Sequence, residues 1–186
     1  MDLAIFGVQG SGKGTQAKII AERDNMAIFE TGDACRKLAT EDNELGKKVK
    51  SIINSGNLVS AEVVIQILED FLKDLPAGQR VIYDGIPRNA DQQLEFDKLL
   101  EKRGRRMIGI QLIRPEEETI KRLMARGRHD DEPEVITRRI KIFLRDTMGV
   151  IEDYRSKNKI IEIDGNQSIE VVAKEISQKV DSYILS

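Results

Sequence analysis

The sequence predicts an α/β P-loop fold: a five-stranded parallel sheet flanked by helices, in one domain spanning residues 1–186. Three observations carry this reading. Short apolar runs alternate with longer amphipathic ones along the chain, and strands separated by helices pair in parallel through crossovers. A glycine-rich segment, 7–15, stands between the first apolar run and the first helical one. Hydrophobic residues make up 40% of the 186, enough for one sizeable core.

Each element follows from local pattern. Residues 3–7 read as a buried strand, 13–23 as a helix and 26–29 as a second strand. The segments 33–38, 43–54 and 61–73 read as helices; in the last, Val63, Val64, Ile67, Leu68 and Phe71 fall on one face. Residues 80–83 form a strand, 91–103 a helix and 107–113 a strand. Pro115 suits the first turn of a helix through 125, and Pro133 suits that of a long helix to about 155. A last strand, 159–163, precedes a last helix, 169–183. The helical block 33–73 is long enough to be a subdomain inserted between the second and third strands.

Composition removes several functions. Aromatic residues are 4% with no Trp, which argues against a stacking platform for single-stranded nucleic acid. A net charge of −2 argues against a general nucleic-acid binder. Cys35 is the single cysteine, so no intrachain disulfide and no cysteine zinc cluster is expected. His129 is the single histidine, which weighs against a Ser-His-Asp triad and excludes a two-His zinc motif. The apolar run 3–6 is too short for a signal segment, and 107–113 is interrupted by Gly109 and Gln111. The expectation is a cytoplasmic protein with small-molecule partners, no nucleic acid and no membrane.

The strongest chemical signal is Gly7-Val8-Gln9-Gly10-Ser11-Gly12-Lys13-Gly14-Thr15. Following a strand and opening a helix is the setting of a phosphate-binding loop. Glycines let the backbone aim several N–H groups at one anion, the helix start adds partial positive charge, and Lys13 adds a full one. A plain turn with an exposed lysine would not need three glycines at this spacing. The Ser or Thr that would bind magnesium after the lysine is replaced by Gly14, with Thr15 one place later.

With that departure, segment 7–16 resembles the adenylate kinase branch of the nucleoside monophosphate kinases. The resemblance recurs in order along the chain. Thr31-Gly32-Asp33-Ala34-Cys35-Arg36 is similar to that family's Thr-Gly-Asp-x-x-Arg segment, which helps bind the monophosphate. Gly56-Asn57-Leu58-Val59 resembles its Gly-x-x-Val turn at the AMP base and ribose, and Asp84-Gly85-Ile86-Pro87-Arg88 its Asp-Gly-Phe-Pro-Arg segment. Arg122, Arg126, Arg128, Asp130-Asp131 and Arg139 resemble the arginine-rich lid and the helix after it. Asp164-Gly165 resembles the turn near the ATP adenine. The resemblance implies a core with a helical NMP-binding insertion at about 31–60 and a very short lid at about 126–131, shorter than in relatives whose longer lid sometimes holds zinc.

It also implies roles. The catalytic set would be Lys13, Arg36, Arg88, Arg126, Arg128 and Arg139. ATP would meet Gly10, Ser11, Gly12, Lys13, Gly14, Thr15, Arg122 and Gly165. AMP would meet Thr31, Arg36, Gly56, Leu58, Val59, Gly85, Arg88, Gln92, Arg128 and Arg139. Mg2+ would arrive with ATP, held through nucleotide oxygens and water with Asp84 in the outer shell, and no zinc is expected. Arg138 is expected to be a surface residue. The chemistry fits these residue types, because phosphoryl transfer between nucleotides needs positive charge, alignment and dryness more than a nucleophile. An arginine fork grips phosphate with two parallel bonds, and Gln92 carries the donors and acceptor for an adenine edge.

The activity implied is MgATP + AMP ⇌ 2 ADP, by a monomer. Asn89 resembles the uridylate/cytidylate kinases, which stay as the alternative together with other small-molecule P-loop kinases. A nucleotide-dependent switch would use the same loop without efficient transfer, but would not need arginines for two nucleotides.

Overall fold

The computed structural model describes residues 1–126 and 132–185. Arg128, His129, Asp130 and Asp131 lie outside the described residues, and with them nearly all of the expected lid.

Five strands form one sheet: β1 (Asp2–Phe6), β2 (Ala27–Glu30), β3 (Val81–Asp84), β4 (Met107–Ile113) and β5 (Ile160–Asp164). Their order is β2-β3-β1-β4-β5, and every pairing is parallel. All carboxyl ends therefore point the same way, and the loops that follow them meet at one edge.

The described helices are α1 (Lys13–Asp24), α2 (Thr31–Leu38), α3 (Glu44–Asn54), α4 (Ala61–Lys73), α5 (Ala90–Lys102), α6 (Glu116–Arg126), α7 (Pro133–Ile142), α8 (Met148–Ser156) and α9 (Ile169–Leu185). Most bounds lie within one or two residues of expectation. One element differs in kind. The expected long helix over 133–155 is broken by a π-helical turn, Phe143–Thr147, between α7 and α8. Its last residue, Thr147, is buried, and its hydroxyl donates to the Arg88 carbonyl at 2.8 Å. Widening one turn lets the helix continue while a side chain is re-aimed, which is why such turns collect at functional sites.

Strand alternation sends side chains to two cores. Ala4, Phe6, Phe29, Val81 and Tyr83 pack with Leu68, Phe96, Val150 and Tyr154 on one face. Leu3, Ile5, Ile82, Ile108 and Ile110 pack with Ile20, Ile176 and Val180 on the other. Tyr83 meets the Phe96 ring edge-on at 5.0 Å. A Cβ on Gly109 would lie 2.8 Å from Phe6 and 2.5 Å from Ile160, so glycine in β4 makes room for both.

The amino end of the sheet is fixed by one buried carboxylate. Asp2 accepts from Val81 N–H at 3.0 Å, from the Tyr83 hydroxyl at 2.8 Å and, at both its oxygens, from Arg105 Nη1, while Arg105 Nη2 donates to Gln79 O at 2.9 Å. Burial beside Asp2 pushes the Tyr83 phenol up, so it stays a donor. The carboxyl end carries the open, charged features.

Candidate active site

A cavity of about 580 Å³ opens at the carboxyl ends of the strands. The loop after β1, the start of α2, the turn 56–59 and the segment 84–92 all border it, with Arg122 from α6, Arg139 from α7 and Thr147 from the π turn.

The loop after β1 is preorganised for an anion. Gly12 caps α1 with φ 103°, where an L side chain is strained although a Cβ would touch nothing within 4 Å. Conformation, not space, demands glycine there. Gln16 N is the first helix amide to reach a turn-back carbonyl, at 3.1 Å to Gly12 O, and no side chain caps the amides before it. Lys13 bends back so that its Nζ donates to Gly7 O at 2.8 Å and Val8 O at 3.0 Å, which sets the ammonium over its own loop. Gly10, Gly12, Lys13, Gly14 and Thr15 line the cavity. Ser11 does not; it is 1% exposed and its hydroxyl has no partner among the described residues.

Asp84 ends β3 and is buried. A Cβ on Gly14 would sit 3.6 Å from its Oδ2, so the glycine that replaces a hydroxyl residue lies against this carboxylate. Among the described residues, no group of three or more His, Cys, Asp or Glu is placed to hold a metal ion. Beside Gly14 the donors at hand are the Asp84 carboxylate and whatever oxygens a polyphosphate brings, which suits a largely hydrated Mg2+.

Arg88 is the most tightly held cation. Its N–H donates to Gln92 Oε1 at 2.9 Å, its carbonyl accepts from Thr147, and its Nε donates to Gly85 O at 2.7 Å. A Cβ on Gly85 would lie 2.5 Å from Arg88 Nη2, so only glycine permits this fold-back. The remaining N–H groups of Arg88 have no acceptor among the described residues. Burial pushes the guanidinium pKa down, Asp84 and Cys35 oppose that, and Arg139 and Arg36 add to it. Three arginines facing one cavity repel one another until an anion enters.

Arg36 lies on α2 and pairs with Asp33 and, at 3.4 Å, with Glu30 Oε1. Arg139 Nη1 donates to Gln9 Oε1 and its Nη2 to Ile53 O, both at 3.3 Å. Thr31 is buried, lines the cavity and has a hydroxyl without a partner among the described residues. Gln92 is 2% exposed. Besides holding Arg88 N–H, it donates from Nε2 to Val59 O at 3.1 Å, which ties the turn 56–59 to α5. One amide hydrogen and one lone pair of Gln92 remain. Gly56, Leu58 and Val59 border the same space.

Not every expected residue is there. Gly165 is absent from the cavity wall; it sits behind the loop, where a Cβ would lie 3.6 Å from Ser11 O. Arg126 is the last residue of α6. Arg138 is exposed as expected but not idle, because its Nη1 donates to Ser55 O at 2.8 Å. Sequence reasoning missed Thr147, Glu30 and Gln9. Thr147 carried no signal, since a threonine in a long helix is unremarkable. Glu30 adjoins the Thr31 segment and ends a strand, which is where sites of this fold lie. Arg114 was also missed; its Nη2 donates to Gly165 O and ties the ends of β4 and β5.

The family model described as adenylate kinase matches residues 5–159. The chain is 36% identical over 181 residues to the adenylate kinase of Caulobacter sp. (strain K31), covering 95% of this chain and 96% of that one. It is 36% identical over 187 residues to the adenylate kinase of Azobacteroides pseudotrichonymphae, covering 98% of each. Similarity to the adenylate kinase of Prochlorococcus marinus (strain NATL2A) is 39% over 171 residues, covering 91% of this chain and 93% of the relative.

Proposed function

The chain belongs to the adenylate kinase family, and from that premise we propose that it transfers the γ-phosphoryl group of ATP reversibly to AMP, giving two ADP. The observation that carries this reading is the convergence of Arg36, Arg88 and Arg139 with the Lys13 loop on one cavity. One phosphate group would not need them all; two facing phosphate chains would.

In this reading the loop amides and Lys13 hold the donor phosphates. Arg88, fixed on three sides, presents its open fork to the acceptor phosphate, and Arg36 leaves Asp33 and Glu30 to join it. Arg139 reaches in from α7. The charge that spreads over the transferred group is met by cations already in place. Mg2+ arriving with ATP would neutralise phosphate charge, and Asp84 is the residue that would hold its water. Thr31, Val59 and the unused half of the Gln92 amide border the space for the base. This reading assigns action as a monomer in the cytoplasm.

The residue that pointed to a pyrimidine has another task in the structure. Asn89, the residue that resembles uridylate/cytidylate kinases, accepts from Gln92 N–H at 2.8 Å and caps α5. It is spent on the helix start. The test is ADP formation from MgATP with AMP, CMP or UMP, beside ATP alone. Fast ADP formation with AMP and slow formation with the others is expected; preference for CMP or UMP overturns the base assignment.

A further inference from the structure

Glu30 is a carboxylate in a site otherwise built to attract anions. It is the last residue of β2 and the residue before α2, it lines the cavity, and its side chain is 29% exposed. Its Oε1 lies 3.4 Å from Arg36 Nη2, the same nitrogen that Asp33 engages. Across the sheet it is the register partner of Asp84. The charged groups that face it are thus Asp33 and Arg36 from α2 and Asp84 from β3.

The start of α2 does not need an acid here. Glu30 makes no side-chain cap on α2, whose first turn already has Asp33. Partial burial and then the neighbouring carboxylates Asp33 and Asp84 disfavour its charged form, and Arg36 favours it. With one cation against two carboxylates, Glu30 is a cost to the protein unless it acts on something that enters the cavity.

We propose that Glu30 is an internal competitor for Arg36, a carboxylate that occupies the guanidinium until the acceptor's phosphate displaces it and that thereby sets the affinity for the monophosphate. This rests on the reading of Arg36 as a partner of the AMP phosphate. When phosphate takes Arg36, Glu30 loses its one cation and gains an anion as neighbour, so part of the phosphate's binding free energy offsets that change. The effect falls on the phosphate alone, because Glu30 faces Arg36 and not the base-side residues Gln92 and Val59. Weaker acceptor binding in the ground state leaves more of the arginine field for the transition state.

The test compares Glu30→Gln with the parent chain in direct titrations of AMP, adenosine and ATP. Glutamine keeps the shape and removes the charge. AMP is expected to bind about two- to fivefold more tightly to the variant, the upper part of the range of one partly exposed ion pair. Adenosine, which lacks the phosphate, binds equally to both proteins, and unchanged ATP binding shows that the phosphate loop is intact. Equal tightening of AMP and adenosine would mean that Glu30 acts on cavity shape, and weaker AMP binding would mean that it orients Arg36; either overturns the competition. A parent chain that binds ATP but not AMP would overturn the proposed function instead.

Discussion

Gln92 shows how one side chain serves two purposes. Its Oε1 accepts from Arg88 N–H and its Nε2 donates to Val59 O. Specificity and architecture are therefore coupled at this residue, whereas sequence alone presents it as a base reader. Gln92→Ala is expected to lower kcat/KM for AMP by about 1–3 kcal/mol and stability by a similar amount, since two buried backbone groups lose their partners. ATP affinity should stay unchanged, because the Lys13 loop makes no bond to Gln92. Titration of each nucleotide together with thermal unfolding checks this, and an equal loss for ATP contradicts it. That Lys13, Arg36 and Arg88 would border one cavity was legible because each lies in a short motif after a strand. That Arg36 spends its guanidinium on Asp33 and Glu30 was not, because pairing depends on distances that spacing does not contain.

Among the elements, α4 and β4 could be read to the residue. The apolar face of α4 recurs at helical spacing over Ala61–Lys73, and β4 is a buried run flanked by Arg106 and Arg114. The π turn, Phe143–Thr147, could not be read, because one widened turn barely disturbs a helical apolar pattern. Its effect is local: Thr147 reaches the Arg88 carbonyl, so the helix that follows the lid grips the segment that presents Arg88. Thr147→Val removes the donor and keeps the shape. We expect kcat to fall about tenfold, a loss comparable to one buried hydrogen bond, with ATP binding unchanged. Thr147→Ser keeps a hydroxyl and is expected to recover most of the rate. Steady-state kinetics of both variants, with each substrate varied, decide the matter; equal damage in the two would show that the methyl packing matters and not the bond.

The whole molecule separates stability from chemistry by the two ends of its sheet. At the amino ends, Asp2 is satisfied by Val81, Tyr83 and Arg105. At the carboxyl ends lie the orphaned hydroxyls of Thr31 and Ser11, the open fork of Arg88 and the uncapped start of α1. The alternation of strands with helices made a sheet flanked by helices foreseeable, but the order β2-β3-β1-β4-β5 depends on partner choice between distant segments, which local pattern does not encode. The central claim is that this end of the sheet passes a phosphoryl group between two nucleotides and not to water. The direct measurement uses ATP labelled in its γ-phosphoryl group, incubated with Mg2+ and AMP. The label is expected in the β-phosphate of ADP formed from AMP, with two ADP made per ATP consumed; label released as inorganic phosphate, at a rate indifferent to AMP, would contradict the account.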